Sequence, residues 1–275
     1  MEAEELLRAG RLEEAREALE RAIRSNPTEA KLRIFFFQLL AVLGQWDRAL
    51  TQLKVAAELD ALHLLVAQMY GDALRCEAFR RQVFAGERIP LIFGEPQPWV
   101  GWLVQANTLT AQGNGEAAEE LRQQAFEAAP AIEGIIDDDK FAWIADADSR
   151  LGPVVEVILK GQYYWIPFQR IQEIQLSPPK GLFDLVWAPA QFTWTNHGQA
   201  QGLIPVRYPG SEESPDDAVR LARKTEWLER PAGTCLGLGQ RMLVTDRQEY
   251  ALLSARRITL RPPDEGGERD GGPDG

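Results

Sequence analysis

Gly10 and Gly44 stand 34 residues apart, and at that same offset Ala15 aligns with Ala49, Leu19 with Leu53 and Ala22 with Ala56. A 34-residue period with small residues at these places is the pattern of a tetratricopeptide helix pair, and it confines this part of the chain to stacked antiparallel helices. Each position has a physical task. Gly10 and Gly44 end a helix where a left-handed residue is needed. Ala15 and Ala49 let two helix backbones approach, and Leu19 and Leu53 fill the groove between the paired helices. Pro27 cannot continue a helix, so the first pair ends before it.

A third copy comes later, in residues 112–130, QGNGEAAEELRQQAFEAAP, where Gly113, Ala118, Ala125 and Pro130 fall at the offsets of Gly10, Ala15, Ala22 and Pro27. It starts one residue later than two further periods allow, and Arg122 stands where a large apolar residue belongs. The intervening stretch from Leu62 to Phe84 reads as helical but lacks the motif. The segment GERIPLIFGEPQPW that follows cannot be one helix, because Gly86, Pro90, Gly94, Pro96 and Pro98 punctuate it. The expectation is a helical repeat domain over residues 1–131, interrupted around 86–98. In such modules the first helices of successive pairs line a concave face. Here that face would carry Lys31, Ile34, Gln38, Val100, Leu103 and Asn107, a mixed apolar and polar set suited to an amphipathic helix or an extended peptide.

From Ile132 the period changes. Val154 to Leu159 and Tyr163 to Ile166 are β-rich runs joined at Lys160-Gly161-Gln162, which reads as a hairpin loop. Arg170 to Leu176, Asp184 to Trp187, Gln191 to Trp194, Gly202 to Tyr208, Cys235 to Leu238, Arg241 to Thr245 and Arg256 to Leu260 are further strand candidates. The fold class expected is therefore α+β: the repeat domain, then a β-rich small barrel or sandwich over residues 132–261. One short helix is expected near 215–224, opened by Ser214-Pro215-Asp216-Asp217. The tail, 262–275, has nothing to bury and is expected to be disordered.

The 275-residue chain carries a formal net charge of -11 and shows no Lys/Arg run, which argues against nucleic acid and anionic membranes as partners. The first residues lack the basic start and apolar centre of a signal peptide, and the longest apolar stretch, Ile34 to Gly44, is too short to cross a bilayer. Two isolated cysteines, Cys76 and Cys235, make neither a disulfide framework nor a zinc site and read as thiols in a reducing compartment. A cytoplasmic protein is expected.

Candidates for chemistry are few. The two histidines, His63 and His197, have no ligand partner at helical or hairpin spacing, so no metal, cofactor or catalytic residue is assigned. Asp137, Asp138 and Asp139, with Asp146 and Asp148, lack the ligand order of a calcium loop and read as solvated loop carboxylates. A turn locked by a carboxylate–guanidinium pair among Asp146, Asp148, Ser149 and Arg150 is a second reading. The glycines of LGLGQR, Leu236 to Arg241, lack the ending of a phosphate loop and fit a close backbone turn.

Several segments resemble a known family: residues 30–60, AKLRIFFFQLLAVLGQWDRALTQLKVAAELD; residues 141–171, FAWIADADSRLGPVVEVILKGQYYWIPFQRI; and the shorter strings DLVWAPAQFTW, GLIPVRYPGS and LARKTEWLE. With the strings WIADADSRLGP, YYWIPF and RYPGSE, the chain is similar to the ImpE/TagJ (SciE-like) family of type VI secretion accessory proteins from about Met1 to Leu260. The resemblance implies a cytoplasmic, non-enzymatic adaptor. It implies as partner the small subunit of the contractile sheath, held through an N-terminal helix of that subunit, and a link to the AAA+ unfoldase that recycles the sheath. Two other classes compete: a hydrolase or ligand-binding enzyme using Asp146, Asp148 and Arg150 in the β-rich half, and an oligomerisation module.

Overall fold

The structure is a computed structural model that describes residues 2–95, 97–230 and 233–261. The expected tail, 262–275, lies outside the described residues. The chain opens with α1 (Glu2–Arg8), α2 (Leu12–Ser25), α3 (Ala30–Val42) and α4 (Trp46–Leu59). Gly10 and Gly44 adopt φ of +74° and +68°, and the same pair of bonds closes both turns: Arg11 N to Leu6 O with Gly10 N to Leu7 O, then Gln45 N to Leu40 O with Gly44 N to Ala41 O. This is the Schellman closure that a left-handed glycine permits. Ala15, Leu19, Ala49 and Leu53 are fully buried, as the register requires.

The motif-free stretch is the third first-helix. The long α5 (Leu64–Phe84) begins 34 residues after α3 does. At the register position of Gly44 it has Ala78, so nothing stops the helix there, and it runs on to the turn at Gly86. The proline-rich segment then leaves the helical layer and forms β1 (Leu91–Ile92), and the repeat resumes in α6 (Pro98–Ala111) and α7 (Gly115–Ala128). Arg122 is buried in the place of Leu19 and Leu53, donating to Thr110 Oγ1 at 2.9 Å and to Thr234 Oγ1 at 3.0 Å.

Among the described residues thirteen further strands follow: β2 (Glu133–Ile136), β3 (Asp139–Phe141), β4 (Ile144–Asp146), β5 (Val154–Leu159), β6 (Gln162–Pro167), β7 (Ile171–Leu176), β8 (Trp187–Trp194), β9 (Gln199–Pro205), β10 (Thr225–Glu229), β11 (Cys235–Gly239), β12 (Met242–Thr245), β13 (Glu249–Ala251) and β14 (Arg257–Arg261). Nine of the strands form one sheet in the order β1-β6-β5-β9-β8-β7-β14-β2-β3, beside a β10-β11 ribbon and a β13-β12-β4 sheet. All these pairings are antiparallel except that of β1, which joins β6 in parallel. The fold is α+β, a helical repeat followed by a β-rich region of mixed sheets.

Alternation on β5 explains how the halves join. Val154 and Ile158 belong to a core shared with the helices, while Val155, Val157 and Leu159 face a second core inside the curved sheet. Position 131 separates elements, not cores. The hairpin turn is tighter than expected: Lys160 and Gly161 alone make it, at φ of +49° and +76°, and Gln162 already pairs with Leu159. Both central residues are left-handed, as a two-residue type I′ turn demands.

Two local expectations need correcting. Asp184 to Trp187 is not a strand. Leu182–Leu185 is a 3-10 turn, because the Asp184 carboxylate accepts from Lys180 N at 2.7 Å and Gly181 N at 2.9 Å, and β8 starts only at Trp187. The short helix α8 spans only Asp217–Arg220 and is capped by Asp216, which accepts from Ala218 N at 2.8 Å, rather than by Ser214.

Candidate functional site

The six residues expected to line a groove part company. Lys31 is exposed, and Ile34 and Gln38 are half-buried on α3, but Val100, Leu103 and Asn107 are buried. For those three the expectation is overturned. Val100 and Leu103 join the core, and Asn107 Nδ2 donates to Val83 O on α5 at 2.7 Å. Part of α3 and of α5 is also covered by the chain itself. The 3-10 turn at Leu182–Leu185 packs against α3, Phe183 lies 4.7 Å from the Tyr70 ring, and Arg207 donates to Val42 O at 2.7 Å and Ala41 O at 3.2 Å. A guanidinium on these carbonyls meets the negative end of the α3 dipole.

The register recovers what α3 and α6 lose. Leu65, Gln68, Met69 and Asp72 on α5 stand 34 residues after Lys31, Ile34, Phe35 and Gln38. They form one wall of an open cleft of about 690 Å³. The facing wall is the uncovered surface of β7, β8 and β9, where Gln175, Gln191 and Gln201 are cross-strand neighbours in a row. Leu65 is 81% exposed and Met69 46%, and Leu62, just before α5, is also bare. Apolar side chains gathered beside a polar rim are the usual make-up of a protein-docking site.

The other half of α5 enters a buried ionic network. Arg80 donates through Nε and Nη2 to the two carboxylate oxygens of Glu156, at 2.6 and 2.9 Å, and to Arg207 O at 2.8 Å. Arg241 bridges Glu156 and Asp146, and Tyr163 donates to Glu156. Tyr208 OH donates to Asp146 Oδ1 at 3.0 Å, and Arg150 binds both oxygens of Asp148 at 2.9 and 2.5 Å. Trp187 Nε1 donates to Glu77 at 2.9 Å. Burial acts to raise the Glu156 pKa, but the guanidiniums of Arg80 and Arg241 outweigh it and hold the carboxyl down to about 2. For Asp146 burial prevails over Arg241, and its pKa is pushed up to about 6. Burial likewise raises the Glu77 carboxyl.

This network corrects the reading of Asp146 and Asp148 as solvated: they are 3% and 0% exposed. The locked turn is present in the Asp148–Arg150 pair. Every oxygen of the two carboxylates accepts from the protein, including Asp148 N at Asp146 and Gly237 N at Asp148, so these groups serve structure. Asp137, by contrast, accepts from Arg256 N and Arg257 N on the surface. Cys76 lies in the core, where burial pushes its thiol up to about 12. Among the described residues no group of His, Cys, Asp or Glu is placed to hold a metal, and no helix is long and apolar enough to cross a membrane.

Sequence reasoning missed Glu77, Arg80, Glu156 and Arg241. One signal was visible: Glu156 interrupts the apolar run VVEVIL, and a charge in a strand buried on both faces needs a partner. Arg80 and Arg241 carried no such mark. The three strings behind the family resemblance meet in this network, which takes Asp146, Asp148 and Arg150 from the first, Tyr163 from the second, and Arg207 and Tyr208 from the third.

Residues 138–259 match the ImpE protein family, and residues 6–71 match the tetratricopeptide repeat. The chain is 53% identical over 264 residues, covering 96% of it and 92% of the relative, to the type VI secretion system accessory component TagJ of Pseudomonas aeruginosa. Its fold is similar to that of a Vibrio parahaemolyticus protein solved by X-ray crystallography, with a TM-score of 0.87, 26% identity, and coverage of 95% of this chain and 98% of that one. On the strength of a relationship that spans nearly its whole length, the chain belongs to the ImpE family.

Proposed function

We propose that this protein is a non-enzymatic, cytoplasmic adaptor of the type VI secretion system that binds the small contractile-sheath subunit through an N-terminal helix of that subunit, and thereby modulates sheath disassembly by the AAA+ unfoldase. The observation that carries the reading is the cleft on α5. It lies on the repeat face where a ligand is expected, while the candidate carboxylates Asp146 and Asp148 are consumed by internal ion pairs. Relatedness to an accessory component of that apparatus supplies the system. A helical repeat fused through a shared core to a β-rich half makes a rigid binding platform, which is what an adaptor needs.

The test is direct. The full-length protein is titrated calorimetrically with the purified small sheath subunit, and then with a version lacking its N-terminal helix. Micromolar or tighter binding that disappears with the helix supports the reading, and no binding to the intact subunit sinks it. Disassembly of contracted sheaths by the unfoldase, timed with and without this protein, tests the modulating role: an unchanged rate removes that part.

A further inference from the structure

We infer that two copies of this chain pair edge to edge through β10, antiparallel about a twofold axis at Leu228, so that their β10-β11 ribbons join into one sheet. The inference goes beyond the adaptor reading and does not depend on it.

The outer edge of β10 is open. In the ribbon Thr225 lies opposite Gly239, Trp227 opposite Gly237 and Glu229 opposite Cys235. The ribbon's own bonds run through the alternate residues: Gln240 N donates to Lys224 O at 3.0 Å and Arg230 N to Thr234 O at 2.8 Å. The backbone groups of Thr225, Trp227 and Glu229 therefore point away from β11, and those of Cys235, Gly237 and Gly239 away from β10. On the β11 side the chain satisfies them. Cys235 N donates to Ser149 Oγ at 3.0 Å, Gly237 N to Asp148 Oδ2 at 2.8 Å and Gly239 N to Ser211 Oγ at 2.7 Å. On the β10 side no strand pairs among the described residues. Its 5 residues exceed the 2 of β1 and the 3 each of β3, β4 and β13, the end strands of the other sheets. A row of outward N–H and C=O groups is a template for another strand.

The side chains say which strand. The Trp227 ring turns inward, 5.7 Å from that of Tyr208, so Glu226, Leu228 and Arg230 share the outer face. Leu228 is 37% exposed, and exposed Arg230 has no carboxylate bonded to it among the described residues. The outward backbone groups let a symmetric partner centre on Glu226, Trp227 or Leu228. The first register sets Glu226 against its own copy, and the second sets Lys224 against Arg230. Centring on Leu228 sets that residue against itself and, on either side of it, Glu226 against Arg230 of the second copy. Only this register brings opposite charges together. In it Trp227 and Glu229 exchange backbone hydrogen bonds across the axis. The leucines and the charge pairs then take the non-hydrogen-bonded positions, where side chains approach closest. Glu226 accepts from Lys224 within its own chain at 2.5 Å, but that pair is exposed and its exchange costs little. Twofold pairing also closes the edge on itself, so the assembly stops at the dimer.

The experiment is sedimentation velocity of the full chain over a rising concentration series. The wild type is expected to shift from monomer to dimer. Glu226→Arg and Arg230→Glu each set like charges together at both pairs, and each is expected to raise the dimer dissociation constant roughly tenfold or more. Both side chains lie outside the buried core, and matching thermal melts establish that the variants fold. Mixed in equal amounts, the two variants again set opposite charges together, and dimerisation is expected to return to wild-type strength. A wild type that stays monomeric throughout the series overturns the pairing, and so do single variants that dimerise as well as wild type. A mixture no stronger than either variant alone overturns the register. Dimerisation abolished by Met69→Glu but not by these changes would place the contact at the α5 cleft instead. A monomeric wild type that loses the small sheath subunit on Glu229→Pro, which removes an outward N–H, would assign the edge to a partner's strand and overturn the pairing of copies.

Discussion

Arg80 on α5 holds both carboxylate oxygens of Glu156 on β5, at 2.6 and 2.9 Å, from 76 residues away in the chain. The pair lies in the seam between the helical layer and the sheet, and neither side chain has contact with water worth counting: they are 5% and 0% exposed. It ties together two halves that the sequence pattern separates at residue 131.

Glu156→Gln should be among the most damaging substitutions in the protein. It removes the charge that Arg80 and Arg241 share and leaves two buried guanidiniums short of a partner. Breaking a buried pair from one side costs about 3–5 kcal/mol. Urea unfolding is expected to show a lowered midpoint with the slope preserved; a loss under about 1 kcal/mol would contradict a stabilising seam.

Acid should expose the same pair. The Glu156 pKa is depressed in the fold to about 2 from an ordinary 4.5, so its contribution is complete above the unfolded value and is lost as pH falls through the folded one. That shift corresponds to about 3 kcal/mol. The stability gap between wild type and Glu156→Gln is therefore expected to narrow as pH drops from 4.5 toward 2. Asp146 has the opposite sign. Its pKa is raised from 3.8 to about 6, so the preference for its neutral form helps the fold at low pH and is lost as pH rises through 6. Denaturation curves of Asp146→Asn against wild type from pH 4 to 7 measure that term, and no pH-dependence in their difference would refute it.

Arg122 offers a test of the repeat register. Its guanidinium occupies the site of an apolar residue in the other copies and leaves Nε without a partner. Arg122→Leu restores the apolar residue at comparable volume and is expected to shift stability by less than about 1 kcal/mol. Arg122→Ala, which leaves a cavity as well, should lose about 2–4 kcal/mol. Thermal melts of the two variants separate these outcomes; equal losses would mean the polar bonds to Thr110 and Thr234 matter more than the packing.

Two glycines should respond differently to the same change. A Cβ at Gly237 would meet the Tyr208 ring at 2.2 Å, and that ring is buried over Arg241. Gly237→Ala is expected to cost more than about 2 kcal/mol through overpacking. Gly113 has open space around it but a φ of +81°, so Gly113→Ala should cost about 1 kcal/mol, from backbone strain alone. A melting-temperature ranking with Gly113→Ala below Gly237→Ala would reverse this account.

The repeat was legible because its information is local: the glycines that close the turns, the alanines at the crossings and the leucines between helices each act within one helix pair. The same holds for the Lys160-Gly161 turn and most strands. What misled was also local. Asp184 to Trp187 reads as a strand until the Asp184 carboxylate turns back on Lys180 and Gly181, and Asp146 reads as solvated until Arg241 arrives from elsewhere in the fold. WIADADSR carries its own cation for Asp148 in Arg150, but nothing in it states that Asp146 will meet Arg241, which lies 95 residues away.

The binding face divides along the same line. The 34-residue period by itself places Leu65, Gln68, Met69 and Asp72 at the register positions of Lys31, Ile34, Phe35 and Gln38. Only the tertiary structure decided which copy of that face stays open. The 3-10 turn at Leu182–Leu185 packs against α3, Arg207 binds its last carbonyls, and Val100, Leu103 and Asn107 of α6 are buried. The reason is physical. Periodicity records how a helix packs on its neighbours in the repeat, whereas exposure depends on what the rest of the chain buries, and that follows from long-range packing.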